Sequence, residues 1–579
     1  MKTVFVGINS KYIHTCLAIW YLKANCSNQN NLVNKEFTIN EHRDSILSVI
    51  YNEKPDIIAF SCYIWNIEII NALSHELKKL LPKCIIILGG PEVSYNAENV
   101  LRENESIDYI VCGEGELVLP VLIGDIEAGT FNYINLPGIA YRRGEGIIHN
   151  EGFNLVPDLD LLESPYTGEF LASVDNRILY FESSRGCPYS CSYCISSTFK
   201  GVRYFSIDRV KKELNKLLLS KPKLIKFVDR TFNCHRERAR EILKYIISLE
   251  CNTVFHFEAA ADLFDDALLE LLASAPKGRI QLEIGIQTTN VQTLKEIDRV
   301  TNLDNLKNNV KYILSNQNVH MHLDLIAGLP FEDYESFICS FNDVFSLRPH
   351  QLQLGFLKML KGSKIRIEAK EHDYHFRSYP PYEILKNRYI TYEEILALKD
   401  IEEAVERYYN SNRFTKSIDF LRNRLITEPF ELFGKIALYC RENGYFDRPV
   451  SYRENLAVLF SFVKNVCKED LIVEGFRQAM VFDFLSSDSS CAIPEPIRSQ
   501  KDLIPVNTVH ELLREEGFIA KYIPAYKGMQ VKNIIKKVFM VSLCLNEGNH
   551  IVLFNYSEKD PVSEKYEFYY LESSENKVI

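Results

Sequence analysis

The chain has 579 residues, and at about 150 residues per domain this length predicts roughly three to four domains. Apolar residues make up 46% of the chain and charged residues 25%, as in a folded globular protein. The formal net charge of −10 excludes a global basic field for nucleic acid or anionic lipid. No apolar run is long enough to span a bilayer, and polar residues interrupt any signal-peptide core near the N-terminus. We therefore expect a cytoplasmic protein.

The cysteines are the unusual part of the composition. There are 15 of them, an odd number scattered along the chain, which argues against a secreted disulfide framework. Most free cysteines in a reducing compartment are buried apolar residues. The informative question is whether some of them are spaced for chemistry.

The first 125 residues alternate short apolar runs with helix-length segments. The predicted strands are 3–7, 57–62, 84–88 and 108–112. Continuous apolar strands separated by helices indicate a parallel sheet covered on both faces, hence an open, doubly wound, flavodoxin-like α/β domain. Ligands of such domains bind beyond the carboxyl ends of the strands, where the sequence places INSKYIH, SCYIWN, GGPEVSYN and CGEGE.

Residues 126–175 are rich in glycine, proline and charge and are predicted to be a connector. A second series of strands and helices follows over 176–365. Its predicted strands are 179–184, 224–229, 253–258, 279–285, 320–328 and 351–358. Six successive βα units predict a partial (β/α)6 barrel with its active site at the carboxyl ends of the strands.

Residues 366–579 are predicted to form a mainly helical region followed by a small α+β segment. The region is rich in aromatic residues, among them Tyr379, Tyr382, Tyr389 and Phe414. Two interpretations stay open. The region caps the barrel and forms a substrate pocket, or its aromatic residues are helix-packing core.

Three cysteines follow the first barrel strand in the segment SSRGCPYSCSYC. Cys187, Cys191 and Cys194 have the spacing Cys-x3-Cys-x2-Cys. Three thiolates on one loop can hold three irons of a 4Fe–4S cluster and leave the fourth iron open for an outside ligand. A structural zinc site with His235 as its fourth ligand, or three ordinary buried cysteines, are the alternatives.

This loop, with Tyr193 before the last cysteine and a six-unit βα series behind it, resembles the radical S-adenosylmethionine (SAM) family over about residues 177–360. The resemblance implies that the open iron binds the amino and carboxylate groups of SAM. Reductive cleavage of SAM then gives a 5′-deoxyadenosyl radical that abstracts hydrogen from a substrate. The SAM contacts that the resemblance implies are Tyr193, Arg203, Asp229, Glu258, Gln287, Asp324 and Gly328. Helix caps or strand-end ion pairs are the alternative roles for these residues.

Joined to such a barrel, the N-terminal domain resembles a cobalamin-binding domain. The implied cobalamin contacts are His14, Ser61, Tyr63, Trp65, Asn66, Gly89, Gly90, Glu92, Gly113 and Glu114. The sequence lacks the Asp-x-His-x-x-Gly element that supplies a cobalt ligand, although His14 stands in the first loop. His14 therefore either ligates cobalt or packs beside the corrin. A nucleotide-binding flavodoxin-like module, or one that binds nothing, is the alternative for this domain.

Together these resemblances imply a cobalamin-dependent radical SAM methyltransferase that acts on an unactivated carbon. One SAM would supply the methyl group through methylcobalamin and another would supply the radical. Three alternatives stay open: a cyclase or ring-rearranging enzyme like the anaerobic porphyrin-ester cyclase, a methylthiotransferase-like RNA modifier, and a non-enzymatic cobalamin or redox sensor. We expect a small-molecule or peptide substrate and an external electron donor of the flavodoxin or ferredoxin type. We expect neither a membrane nor a nucleic acid as partner.

Overall fold

The computed structural model describes residues 1–26, 31–144, 146–545 and 548–571. The N-terminal sheet has seven strands in the order β2-β1-β3-β4-β5-β6-β7. They are β1 Thr3–Asn9, β2 Leu32–Thr38, β3 Ile57–Ser61, β4 Ile85–Gly89, β5 Tyr109–Val111, β6 Ile139–Arg143 and β7 Gly146–His149. Strands β1 to β5 pair in parallel, and β6 and β7 add an antiparallel hairpin. The doubly wound α/β domain is thereby confirmed.

Two strand features of this domain differ from the sequence-based expectation. Strand β2 was not predicted, because its sequence LVNKEFT is half-exposed at the sheet edge and lacks a continuous apolar run. The hairpin β6–β7 lies in the segment predicted as a connector. Its two short strands were not predicted, because glycines and arginines interrupt their apolar residues. The helices of the domain are Leu17–Asn25, Arg43–Asn52, Ile67–Leu80, Pro91–Ser94, Ala97–Glu103 and Val118–Ala128.

The predicted barrel is confirmed as a six-stranded, all-parallel sheet in the order β15-β14-β13-β12-β11-β8. Its strands are β8 Leu179–Phe181, β11 Leu224–Phe227, β12 Val254–Glu258, β13 Ile280–Gln287, β14 His320–Ala327 and β15 Gln351–Phe356. The outer helices are Gly168–Ser173, Ile207–Leu218, Arg236–Ser248, Asp266–Ala273, Val291–Glu296, Leu303–Ser315 and Tyr334–Ser346. Apolar side chains alternate with half-buried ones along β13, so one face of the strand packs under the helices and the other lines the barrel.

An antiparallel hairpin interrupts the barrel after β8. It consists of β9 Ser184–Cys187 and β10 Gly201–Tyr204, with Cys187 paired to Gly201. The hairpin closes the chain between these two residues into one loop. The sequence motif therefore lies on a loop whose ends are fixed by backbone hydrogen bonds.

The C-terminal region is helical and then α+β, as predicted. Its longer helices are Tyr392–Val405, Thr415–Arg424, Pro429–Glu442, Tyr452–Val466 and Asp470–Ser487, and its shorter ones are Lys364–Ile367, Val506–Leu512, Glu516–Tyr522 and Val531–Ile534. A two-stranded ribbon, β16 His375–Phe376 and β17 Ile384–Lys386, precedes the long helices. A three-stranded antiparallel sheet, β18 Val538–Leu545, β19 Gly548–Lys559 and β20 Tyr566–Tyr570, follows them. The C-terminal region was predicted to extend to residue 579, and its residues 572–579 lie outside the described part of the chain.

The C-terminal sheet also reaches the barrel. Lys277, at the entry to β13, forms an ion pair with Asp560, and Gly278 faces the ring of Pro561. These contacts cover the amino-terminal end of the barrel, opposite the end where the cysteine loop lies. Among the described residues, no helix combines the length and apolarity needed to cross a bilayer.

Candidate functional site

A cavity of about 660 Å³ lies between the carboxyl ends of the two parallel sheets. The N-terminal domain contributes the loops after β1, β3, β4 and β5, and the barrel contributes the ends of β8 and β11 and the cysteine loop. A second cleft of about 230 Å³ runs into the N-terminal domain between β3, β4 and β5. Both are therefore at the edge where α/β sheets bind ligands.

Most of the residues predicted to contact cobalamin line these two spaces. The lining of the larger cavity includes His14, Tyr63, Trp65, Gly90, Gly113 and Glu114. Ser61 and Gly89 line the smaller cleft, together with four residues of the first set. Asn66 and Glu92 line neither. The buried Asn66 amide donates to the carbonyls of Ile8 and Ser61 and holds the loop in shape.

Gly90 shapes the junction of the two spaces. Its φ of +111° is essentially restricted to glycine, and an added Cβ would lie 2.5 Å from the Cys62 carbonyl oxygen. Gly89 has an ordinary φ, and its Cβ would meet only the Val111 carbonyl at 3.5 Å. The close packing of two loop backbones thus depends on Gly90, while Gly89 leaves open space in the cleft.

His14 is anchored to the barrel. Its Nδ1 lies 2.7 Å from the Tyr180 hydroxyl, and Arg177 donates to its carbonyl. Burial lowers the pKa of His14, and Lys11, Lys226 and Arg177 lower it further. The imidazole is therefore neutral at physiological pH, and His14 lines the cavity.

Glu114 is an ion-pair partner of two arginines that line the cavity. It accepts two hydrogen bonds from Arg203, at 2.8 and 2.6 Å, and lies 3.5 Å from Arg185. Burial alone would raise the pKa of Glu114, but the two guanidiniums outweigh it and the pKa is lowered. The Arg203 guanidinium, which we expected to meet the SAM carboxylate, is bound to Glu114 and to the Val156 carbonyl. Its predicted role stays a prediction.

The three cysteines lie on the loop that β9 and β10 close. Cys191 is buried, Cys187 and Cys194 are half-buried, and all three are free thiols. Gly186, with φ +100°, makes the loop possible, because a Cβ there would collide with the Gly201 carbonyl. Backbone hydrogen bonds from Ser192 to Ile297 and from Ile365 to Ser192 fix the loop from outside.

Arg299 is the cation at this loop, and sequence reasoning missed it. Its Nη1 lies 3.8 Å from the Cys191 sulfur and 3.2 Å from the Tyr193 hydroxyl, and its Nη2 donates to the Gly285 carbonyl. Burial raises the pKa of the Cys191 thiol and Arg299 opposes that shift. The buried Arg299 Nε has no hydrogen-bond partner among the described residues. A guanidinium here offsets the negative charge that thiolates with a metal cluster would place in a buried site.

Three thiols on one loop are the donor set that a 4Fe–4S cluster takes. Among the described residues, no group of three or more His, Cys, Asp or Glu side chains is close enough to hold one metal ion. His235 is used elsewhere, since its Nδ1 accepts from the Arg238 amide as a helix cap. A cubane spreads its thiolates over three irons, wider apart than ligands of one tetrahedral zinc. The donor set of three cysteines on one closed loop therefore fits a 4Fe–4S cluster.

Asp229 stabilises the loop base. Its buried carboxylate accepts from the Ser183 amide and from the hydroxyls of Ser183 and Ser184, at 3.0, 2.6 and 2.5 Å. Burial raises the pKa of Asp229 despite these donors. These contacts join the end of β11 to Ser183 and to the start of β9. The predicted SAM contact of Asp229 stays a prediction.

Other predicted SAM residues lie along the inner face of the barrel. Burial raises the pKa of Glu258, and burial together with Glu283 and Glu258 raises the pKa of Asp324 to about 8. Asp324 Oδ1 is buried and accepts no hydrogen bond within the part of the chain that the structure describes. Glu283 is held instead by His256 Nε2 at 2.9 Å and Lys226 Nζ at 3.0 Å, and these contacts lower its pKa to about 2.

Two predicted residues stand at special backbone positions at the strand ends. Gln287 has φ +73° where the register of β13 and β14 shifts. Gly328 has φ +90°, and its carbonyl accepts from Tyr374 and Asn387 of the C-terminal region. Strain of this kind concentrates at functional sites. Like Tyr193, Asp229, Glu258 and Asp324, these two do not line the large cavity.

Three family models match the chain. The B12 binding domain matches residues 3–123, the radical SAM superfamily residues 181–343, and a protein of unknown function, DUF4080, residues 370–555. The first two matches cover the two domains that border the cavity. The third covers most of the C-terminal region.

Individual relatives are also similar to this chain. The chain is 25% identical over 411 residues to the cobalamin-dependent radical SAM methyltransferase TokK of Streptomyces tokunonensis, covering 66% of this chain and 59% of the relative. It is 30% identical over 239 residues to the anaerobic magnesium-protoporphyrin IX monomethyl ester cyclase of Synechocystis sp., covering 40% and 47%. The chain thus spans well under two thirds of these relatives.

A solved structure shares the fold. The cobalamin-dependent SAM radical enzyme OxsB with aqua-cobalamin bound aligns with a TM-score of 0.56 at 15% identity, covering 84% of this chain and 79% of that one. At this identity the likeness shows the fold alone. The chain therefore carries a B12-binding domain and a radical SAM domain, followed by a region that matches DUF4080.

Proposed function

We propose that the protein is a cobalamin-dependent radical SAM methyltransferase that acts on an unactivated carbon of a small molecule or peptide. The observation that carries this proposal is the single cavity of about 660 Å³ bordered by both domains. The residues after Cys194 line it on one side and the loop from Gly90 lines it on the other. Similarity to TokK supports the choice of reaction.

The chain's own residues would hold the cofactors as follows. Cys187, Cys191 and Cys194 would ligate the cluster, with Arg299 balancing its charge. The smaller cleft beside Gly89 and Gly90 would take the cobalamin tail, and the large cavity its corrin. When bound, the cluster with SAM would supply hydrogen abstraction and the cobalamin would supply methyl transfer.

Aromatic side chains form part of the cavity wall. Tyr63 and Trp65 stack in parallel, with ring centroids 4.5 Å apart, and both line the cavity. Tyr95 and Phe199 close it further, each in contact with Phe153. An enclosed apolar wall protects a reactive radical from side reactions.

Anaerobic reconstitution tests the proposal. Purified protein with iron, sulfide, cobalamin, SAM and a chemical reductant should release 5′-deoxyadenosine. Alanine at Cys187, Cys191 or Cys194 should abolish both the cluster absorbance and this release. Cys234→Ala is the matched control, because this thiol contacts the Tyr204 hydroxyl beside the loop and is not one of the three ligands. Deoxyadenosine release from any of the three ligand variants contradicts the assignment.

The products decide between related functions. Incubation with a cell extract should yield a product that has gained one methyl group. The similarity to the porphyrin-ester cyclase favours ring closure as a second candidate, which would leave the carbon count of the product unchanged. Cobalamin binding without deoxyadenosine would favour a sensor. We also propose a flavodoxin- or ferredoxin-type protein as the electron donor, tested by replacing the chemical reductant with it.

A further inference from the structure

A segment of the C-terminal region touches both walls of the large cavity. We define residues 359–382 as the strap. It leaves the barrel after β15 and passes the short helix Lys364–Ile367 and strand β16. The cavity wall from the N-terminal domain includes Gly90, Pro91, Ser94 and Tyr95, and the wall from the barrel includes Ile195, Ser196 and Phe199.

The first contact of the strap is with Glu92, two residues after Gly90. Glu92 is 4% exposed, and its carboxylate lies 2.8 Å from Lys361 Nζ and accepts from the Tyr382 hydroxyl. Lys361 also donates to the Glu92 carbonyl. Tyr382 has a φ of +55°, a strained conformation for a residue other than glycine. Glu92, which we predicted to contact cobalamin, is therefore bound to the strap and does not line the cavity.

The second contact joins the two walls to each other. The Tyr95 hydroxyl lies 2.8 Å from Thr198 Oγ1, four residues after Cys194. Gly362 of the strap lies against the Tyr95 ring so closely that a Cβ could not be added. The strap thus supports Tyr95 from behind at the point where it meets the cysteine loop.

The third contact is with the cysteine loop itself. The Ile365 amide of the strap donates to the Ser192 carbonyl at 2.9 Å, and Ser192 stands between Cys191 and Cys194. The Arg366 guanidinium lies over the Tyr382 ring, 4.7 Å from its centroid. One continuous stretch of chain therefore bonds the B12-binding loop and the loop of the three cysteines.

We propose that the strap sets the spacing between the cobalamin and the cluster, with Tyr382 and Glu92 as positioning residues. This inference rests on the proposed function, since it assumes that both cofactors bind where the cavity lies. It assigns a role to the start of the DUF4080 match, which contains Tyr382. A buried carboxylate that binds one cation and one hydroxyl fixes the position of the loop that carries it.

The test uses the reconstituted full-length protein with Tyr382→Phe. Tyr379→Phe is the matched control, because Tyr379 is half exposed and its hydroxyl accepts from Arg377, on the same strap, and from no described residue of the N-terminal domain. Equilibrium binding of cobalamin should weaken about tenfold in Tyr382→Phe, the equivalent of roughly 1.4 kcal/mol. The control should bind as the parent protein does.

A spectroscopic readout separates positioning from general stability. In the parent protein, the reduced cluster should speed the spin relaxation of bound cob(II)alamin, since the two paramagnets lie close together. Tyr382→Phe and Glu92→Gln should weaken this effect while cluster content stays unchanged. Unchanged relaxation and affinity in both variants would overturn the inference. If the parent protein binds no cobalamin, the proposed function fails first.

Discussion

Adjacent glycines at the cavity give the sharpest test of the site geometry. At Gly90, alanine would have to adopt a φ of +111° with its Cβ 2.5 Å from the Cys62 carbonyl oxygen. A residue other than glycine in such a conformation costs about 1–3 kcal/mol, and the collision adds to it. We therefore expect Gly90→Ala to lower the free energy of unfolding of the N-terminal domain by about 3 kcal/mol, from the sum of the two effects.

Gly89→Ala is the internal control. Its Cβ would meet only the Val111 carbonyl at 3.5 Å, an ordinary contact, so the unfolding free energy should change by under about 1 kcal/mol. The methyl group would project into the smaller cleft, which Gly89 lines. Gly89→Ala should therefore keep the fold and still weaken cobalamin binding.

The chain offers a selective assay for this pair. Its two tryptophans, Trp20 and Trp65, both lie in the N-terminal domain, so tryptophan fluorescence during urea unfolding reports on that domain. A loss of less than about 1 kcal/mol in Gly90→Ala would refute the reasoning from the Cys62 contact. Equal losses in the two variants would refute it as well.

Further predictions concern the titrating groups of the site. Because Asp324 has a pKa raised to about 8, the folded state holds a proton there that the unfolded chain has lost, and its contribution to stability falls as pH rises from about 4 to 8. Asp324→Asn should thus gain stability over the parent protein at pH 8.5 and little at pH 4, measured by urea midpoints; an equal difference at both values would contradict this. Glu283→Gln should lose about 1–3 kcal/mol at neutral pH through its contacts with Lys226 and His256, and the loss should shrink toward pH 2. His14→Ala should retain cobalamin, and the cob(II)alamin EPR spectrum of the parent protein should lack nitrogen splitting from histidine, since the sequence lacks the Asp-x-His-x-x-Gly element; splitting in the parent protein that disappears in the variant would show cobalt ligation instead.

The local sequence was sufficient for the architecture. Apolar runs such as those of β3 and β4 predicted the first sheet, and the regular spacing of βα units predicted the barrel, because buried parallel strands need continuous apolar residues. The cysteine spacing predicted its loop and ligands, since three thiols within eight residues are a local signal. Strand β2 was not predicted, because it lies at the edge of the sheet and half of its residues are polar.

The roles of the polar residues were decided only by tertiary structure. Arg299 reaches Cys191 across 108 residues of sequence, and Arg203 turns to Glu114 across 89. Tyr382 of the strap reaches Glu92 across 290 residues of sequence, a separation that no local pattern predicts. The role of a buried carboxylate or guanidinium depends on the partner that lies next to it. The packing of the domains determines that partner, and the spacing of residues along the chain does not.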